Sequence, residues 1–560
     1  MMTDESDMSQ QRFEDSIGSN LLNNSADNEE DKTIKVKKTE KKSKFPSTYS
    51  ILLIIQIVFF LFTYIFQKGL YDTIEYSSEK KMFIIRKNDK NNTIINVNAT
   101  QEELDKTGVS VPLDSFLDNF INRPIRIPNT YKKIEDDTTN FFNLFLYPIK
   151  GLIESADISF FLLIYGGIIK VLEVPLSKLM KYLTNFTKKK KNILLIIVIC
   201  IFSLGGTTFG MEEEILSFYP ILMPIFLDIG FDGLLSMAPL YFGVICGKMF
   251  CLINTTSVVL ASILAGINYK DEIVFRIIGL VIAIIISSVY LILYKIRVEK
   301  NPEKSIVKNI NDDIRSHFDV RKRKNTEEKE GDNDDTQTNI SKNKINNEQL
   351  SLNQKISLII FIAGFISLIP CVIIFKWSFL EQAAFYFILA VILMFLSCKG
   401  EKGAINDFIE GVKNYCEVVM ITGIIRGLNL TLEEEKIFDT FLNSFSIMLE
   451  DLEGAVFGVL ILIIYIILGL FIQTSSGMAM ISIPPFAPLA DAANCPRSVV
   501  VNAYLIGQTL ISLIAPTGLI LIATQLVGIE YIYWLKFIWP YLLILFVFSF
   551  ILIIIDSYLY

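Results

Sequence analysis

Histidine is all but missing from this chain: His317 is the only one in 560 residues, and it lies in a charged stretch. That removes Ser-His-Asp and Cys-His nucleophilic catalysis, His-ligated zinc and an intramembrane histidine proton relay. Cysteine is sparse as well. The seven, at 200, 246, 251, 371, 398, 416 and 495, form no CxxC pair and none falls between 69 and 147. They read as reduced thiols filling apolar space. The three tryptophans, Trp377, Trp534 and Trp539, are expected at the lipid–water interface. A membrane-embedded enzyme finds no histidine and no paired-aspartate motif to work with, so no catalytic residue is expected.

What the chain has in excess is apolar sequence. Hydrophobic residues make up 52% of it, including 42 Phe, too oily for an ordinary soluble protein. The formal charge of -7 comes largely from solvated tails and loops and implies no nucleic-acid partner. Ser50 to Phe66 follows a 49-residue charged tail without a cleavage-site pattern, and so reads as a retained spanning helix rather than a signal peptide. The expected organisation is a disordered charged cytoplasmic tail (1–49), a first transmembrane helix (50–68), an extracytoplasmic loop (69–147), a first transport repeat (148–294), a charged cytoplasmic linker (295–350, including the 306–349 insertion), two scaffold helices (351–400) and a second transport repeat (408–556). Basic flanks at Lys35–Lys44, Lys188–Lys191 and Lys295, Arg297 and Lys300 place those segments, and the N-terminus, on the cytoplasmic side of a plasma membrane.

The repeat is written in the sequence itself. NTTSVVLASILAGINY (254–269) and PTGLILIATQLVGIEY (516–531) align without a gap, sharing Thr255/Thr517, Ala261/Ala523, Gly266/Gly528 and Tyr269/Tyr531, 262 residues apart. Upstream, each copy has small residues ending in Gly-Met, prolines four apart (Pro220/Pro224 and Pro484/Pro488) and an Asp, Asp228 or Asp491. Gly167-Ile-Ile-Lys170 corresponds to Gly423-Ile-Ile-Arg426. Counting spans makes the copies enter the bilayer from opposite faces. The expected fold is therefore an all-α polytopic membrane protein with an inverted-topology repeat, re-entrant hairpins and broken helices.

Backbone polar groups at membrane depth must be satisfied inside protein or by a wet cavity, so small and hydroxyl residues amid oily sequence imply unwound helix at a solvated site. Half-helix N-termini attract carboxylates and C-terminal carbonyls hold cations. The candidate substrate-binding residues are Thr207, Thr208 and Gly210, Glu213 and Glu214, Asn254, Thr255 and Thr256, Ser475, Ser476 and Gly477, and Pro516, Thr517 and Gly518. Other charges at depth are Glu212, Asp228, Asp491, Lys170, Arg426 and Lys248. The glutamates either meet substrate or line a wet hairpin mouth, and Lys170 and Arg426 either act in transport or snorkel to an interface.

GTTFGMEEEILSFYPILMPIFLDIGFD, TSSGMAMISIPPFAPLADAA, IAPTG and YWLKFIWPYLLIL resemble the YfcC branch of the DcuC-type anaerobic C4-dicarboxylate carriers, in the ion-transporter superfamily with its elevator-like folds. The resemblance runs from about Pro46 to the C-terminus and also takes in PIKGLIESADI and NPEKS. It implies a secondary transporter, of C4-dicarboxylates or of basic amino acids in arginine/ornithine antiport. The two hairpin motifs and the Asn-Thr-Thr and Pro-Thr-Gly breaks are what carries over. The family often has Gly-Asp before the Pro-Thr break, where this chain has Gly507-Gln508.

A dicarboxylate wants two cationic partners, whereas the strongest charge beside a break is the acidic run Glu212–Glu214. The reading therefore leans to alternating-access exchange of a basic amino acid, with C4-dicarboxylate transport as the alternative. A passive channel is the alternative of another class. No cofactor is expected. The coupling ion, sodium or proton, and a homodimeric assembly stay open; the partners expected are the lipid bilayer and a small-molecule substrate.

Overall fold

The computed structural model describes residues 46–89, 93–118, 120–121, 123–134, 139–179, 190–318, 351–375, 377–397 and 400–559, which belong to one compact unit. The expectations for the tail before 46, for residues 180–189 and for 319–350 lie outside the described residues. Helix α1 (Thr48–Ile65) leads into a loop folded as two antiparallel sheets. Strands β1 (Gly69–Leu70) and β6 (Lys132–Lys133) form one; β2 (Thr73–Ser77), β3 (Met82–Arg86), β4 (Ile94–Asn98) and β5 (Ile125–Arg126) form the other, in the order β4-β3-β2-β5. Alternation buries Ile74, Phe83 and Ile85 on one face.

The membrane part follows as α2 (Asn143–Glu154), α3 (Ala156–Val171), α4 (Lys191–Thr208), a 3-10 turn (Glu213–Phe218), α5 (Tyr219–Ile229), α6 (Gly233–Met249), a π turn (Thr255–Val259), α7 (Leu260–Ala265), α8 (Ile273–Lys300) and the short α9 (Asn311–Phe318). Then come α10 (Leu352–Phe375), α11 (Phe379–Leu396), α12 (Gly400–Glu434), α13 (Phe438–Leu449), α14 (Gly454–Phe471), α15 (Ser475–Ala492), α16 (Arg497–Ser512), α17 (Leu519–Leu526) and α18 (Tyr531–Leu559). Among the described residues seven helices are long and apolar enough to cross a bilayer, and the α2–α3 pair, bent by 60°, makes an eighth.

The second copy repeats the first element by element. In each, two helices fold back into a hairpin, α4 with α5 and α14 with α15. Lys191 at the start of α4 lies 5.8 Å from the Phe231 ring just beyond α5, and the Gly454 amide at the start of α14 donates to Ala493 O at 2.9 Å just beyond α15. A broken helix comes next, α6–α7 or α16–α17, and then a long span, α8 or α18. The broken helix runs parallel to the outgoing arm of its own hairpin and packs tightly against it. Gly243 permits this in one copy, where a Cβ would stand 2.7 Å from Ile199 O, and Gly507 in the other, where a Cβ would stand 2.7 Å from the Tyr465 Cβ.

The hairpins open toward opposite faces. The base of the first meets the segment after α8, with the Gly233 amide donating to Asn311 Oδ1 at 3.1 Å. The base of the second meets the β-loop: α15 packs on β5, and Arg497 Nη1 donates to Ala265 O at 2.8 Å beside Gly266, whose Cβ position is 2.7 Å from Ser110 O. The topology is therefore inverted. The copies also interlock, α7 packing on α15 and α17 on the 3-10 turn of the first hairpin.

Two expectations are corrected. Trp534 is not at the lipid interface. It is fully buried, its indole N–H donating to Leu513 O at 2.9 Å, because the break after α16 leaves carbonyls that need donors. Trp539 is 60% exposed and fits the interface reading. Nor is the Gly-Gly-Thr-Thr run unwound, as it forms the last turn of α4, and of the Gln-Thr-Ser-Ser-Gly run only Gln473 and Thr474 are, the rest forming the first turn of α15. The irregular backbone lies beside them, at Phe209–Glu212 and Ile472–Thr474.

Candidate functional site

Each hairpin tip meets the break of its own copy through hydroxyl and amide side chains. In the first copy, Thr207 Oγ1 donates to Phe250 O at 3.2 Å and accepts from the Leu252 amide at 3.0 Å, satisfying the unwound backbone after α6. Gly210 turns the tip at φ +74°, and a Cβ there would collide with the Asn254 amide. Asn254 is buried, and its Oδ1 accepts from Thr256 N at 2.8 Å and Thr256 Oγ1 at 2.9 Å, capping the π turn. In the second copy, buried Thr517 donates to Leu470 O at 3.0 Å and accepts from Gln473 Nε2 at 3.3 Å. Gln508 donates to Gln473 O at 3.0 Å and so ties the tip to α16.

Between the two tips lies a small pocket lined by Glu212, Tyr241, Val244, Ile245, Lys248, Gln473, Ser512 and Leu519. Both copies contribute. Lys248, on the fully buried α6, forms an ion pair with Glu212 of the first tip. Tyr241 crosses the seam to donate to Ser512 O at 2.8 Å. Helices α15 and α17 point their N-termini inward, and the residues before them, Thr474 and Gly518, supply no side-chain cap. Uncapped first-turn amides at a helix N-terminus favour a carboxylate.

The sequence-derived candidates divide accordingly. Thr207, Gly210, Asn254, Thr517 and Gly518 build the two tip–break junctions, Gly518 lying against the Gln473 side chain. Thr208 bonds back to Leu204 O at 2.6 Å in its own helix. Thr255 and Thr256 are exposed, and Pro516, Ser476 and Gly477 are half-buried; Ser475 offers its carbonyl to Tyr504 at 2.8 Å. Glu213 sits half-buried in the 3-10 turn. Glu214 turns away toward a second small cavity, among Phe161, Phe365, Leu368, Gln382 and Tyr386 of α3, α10 and α11. It is Glu212 that pairs with Lys248. Tyr241 and Ser512 went unnoticed because they read as ordinary helix residues; the signal for Gln473 was its place at the head of the Gln-Thr-Ser-Ser-Gly run, and for Lys248 a lone cation in an apolar run.

Two mirrored hairpins meeting two broken helices around one pocket define a polytopic membrane carrier. Residues 45–558 match the family model of the C4-dicarboxylate anaerobic carriers, DcuC. The chain belongs to that family, which is one of transporters rather than enzymes. An uncharacterized protein of Haemophilus influenzae is 33% identical over 529 residues, 93% of this chain and 99% of the relative. A putative basic amino acid antiporter of Escherichia coli, YfcC, is 24% identical over 410 residues, 70% of this chain and 76% of the relative. Among solved structures, the Neisseria gonorrhoeae MtrF antimetabolite efflux pump aligns over 92% of this chain and 95% of its own at 15% identity and a TM-score of 0.35. The YdaH transporter of Alcanivorax borkumensis aligns over 91% and 98% at 11% identity and a TM-score of 0.37.

Proposed function

We propose that the protein is an alternating-access exchanger of an amino acid with a cationic side chain. The observation that carries this reading is the charge balance at the first tip: three consecutive glutamates, Glu212–Glu214, stand there, and the one pocket cation, Lys248, is already paired with Glu212, the glutamate that lines the pocket. A substrate carboxylate would take the uncapped N-termini of α15 and α17, and the substrate cation would take the acidic tip, exchanging with Lys248 for Glu212. The hairpins and broken helices would move against a frame holding α10 and α11, along the seam where Glu214 faces Gln382 and Tyr386. Arg297 and Lys300 closing α8 favour the cytoplasmic side for that end, and with it for the N-terminus.

A second reading, C4-dicarboxylate transport, is favoured by Lys248 itself, which, released from Glu212, would receive a second carboxylate. Counterflow in proteoliposomes preloaded with arginine, ornithine, malate or succinate separates the two. Saturable uptake of labelled arginine into arginine- or ornithine-loaded vesicles is expected. Counterflow with malate and succinate alone transfers the assignment to dicarboxylates, and flux without saturation or counterflow makes the protein a pore.

A further inference from the structure

Away from the tips, at the β-loop end of the helices, four polar residues are sealed between the copies: Glu272 and Arg276 from the start of α8 in the first, Asn502 of α16 and Asp556 of α18 in the second. Their exposures are 3%, 1%, 1% and 0%. The Asn502 amide nitrogen donates to both carboxyls, to Glu272 Oε2 and, at 2.9 Å, to Asp556 Oδ2, and the two carboxyls lie within hydrogen-bonding reach of each other. Arg276 donates from Nε to Asn502 Oδ1 at 3.1 Å and from Nη1 to Tyr269 O at 3.0 Å, while its Nη2 has no hydrogen-bond partner. Glu272 Oε1 and Asp556 Oδ1 are left with no hydrogen-bond partner. The other titratable groups facing the cluster are Asp271 and the thiols of Cys251 and Cys495.

Two carboxylates and one guanidinium carry one uncompensated negative charge, and a dry seam does not hold it without a counter-charge. Two acids in contact satisfy one another only when a proton lies between them. At the twofold-related positions, 262 residues away, Trp534 stands where Glu272 does and Tyr294 where Asp556 does, so the repeat does not itself call for a carboxyl at either place. Both aromatics are buried.

We propose that Glu272 and Asp556 form a proton-binding site at the seam of the two copies, holding one exchangeable proton between their carboxyl groups. Such a proton is suited to serve as the coupling ion of the carrier, a use that rests on the transport reading; the site itself rests only on the seam.

The test is an infrared pH titration of the full chain reconstituted in liposomes, without substrate. The carbonyl stretch of a carboxyl still protonated above about pH 6, where solvated carboxyls are ionised, should shift when aspartate or glutamate is labelled with carbon-13 at the side-chain carboxyl, and that component should be lost in Asp556→Asn and Glu272→Gln. Isotope labelling assigns the band to aspartate or glutamate in the unmodified protein, and the substitutions assign it to the seam, an unchanged circular-dichroism spectrum showing that each variant is folded. Absence of a protonated-carboxyl band above about pH 6, a band that neither label shifts, or a band that persists in both folded variants overturns the proposal. So does loss of the band on replacing potassium with sodium at constant pH, which makes the site a sodium site.

Discussion

Lys170 of α3 pairs with Glu410 of α12 at 2.6 Å, and Arg426 of α12 pairs with Glu154 at the bend between α2 and α3 at 2.9 Å. The members of the two pairs are exchanged by one shift of 256 residues: Glu154 becomes Glu410, and Lys170 becomes Arg426. A rotation that swaps the copies swaps the pairs, so the twofold is inscribed in the ion pairs as well as in the helices.

Equivalent pairs should behave alike. Glu410 is 55% exposed and Glu154 40%, so solvent screens both pairs and each contributes about 0.2–1 kcal/mol. Lys170→Ala and Arg426→Ala should lower the thermal midpoint by similar small amounts and add in the double variant. A loss confined to one variant contradicts their equivalence.

Glu435, just beyond α12, anchors the β-loop. Burial opposes its ionisation, yet hydrogen bonds from Lys68, Tyr147, Asn143 and Thr139 outweigh it and hold the carboxyl down to about 2. A carboxyl with a depressed folded value adds stability above its unfolded pKa of about 4.3, and that stability is lost as the pH falls toward the folded value. Thermal midpoints should therefore decline between about pH 4 and pH 2, and Glu435→Gln should flatten that part of the profile. Glu435→Ala leaves Lys68, paired at 2.7 Å and 6% exposed, buried without its partner, at a cost of about 3–5 kcal/mol.

At the tips, Glu212→Gln and Lys248→Met should each reduce counterflow at least tenfold, about 1.4 kcal/mol of lost interaction, while Glu214→Gln should change it less. Undiminished flux in Glu212→Gln removes the ion pair from the mechanism.

Gly210→Ala puts a side chain at φ +74° and against Asn254. Strain of that kind costs about 1–3 kcal/mol, and the displaced Asn254 uncaps the π turn. Lower thermal stability together with impaired counterflow is expected; an unchanged midpoint would show that the first tip is loose.

Much of this was legible in the sequence. Co-linear Gly, Pro, Thr and Tyr announced the repeat, and the Asn254 and Pro516–Gly518 breaks fell where the helices part, because glycine and proline dictate backbone locally. Which of three adjacent glutamates meets the pocket was not legible: a 3-10 turn aims Glu212 at Lys248 and Glu214 at Gln382, and that direction depends on packing from α6 and α11. Trp534 misled for a related reason. Its partner, Leu513 O, exists only because α16 breaks 21 residues earlier. The Glu272–Asn502–Asp556 cluster joins residues 230 and 54 positions apart, beyond the reach of any local pattern.

The central claim is that the two hairpins open to opposite sides of the membrane. Single cysteines at Gly230 and Asn494, at the hairpin bases, on a cysteine-free background in sealed right-side-out and inside-out vesicles, test it with a membrane-impermeant maleimide. Opposite labelling is predicted, each site reacting in one vesicle orientation only. Both sites labelling from the same side would contradict the inverted repeat and every role assigned to the pocket between the tips.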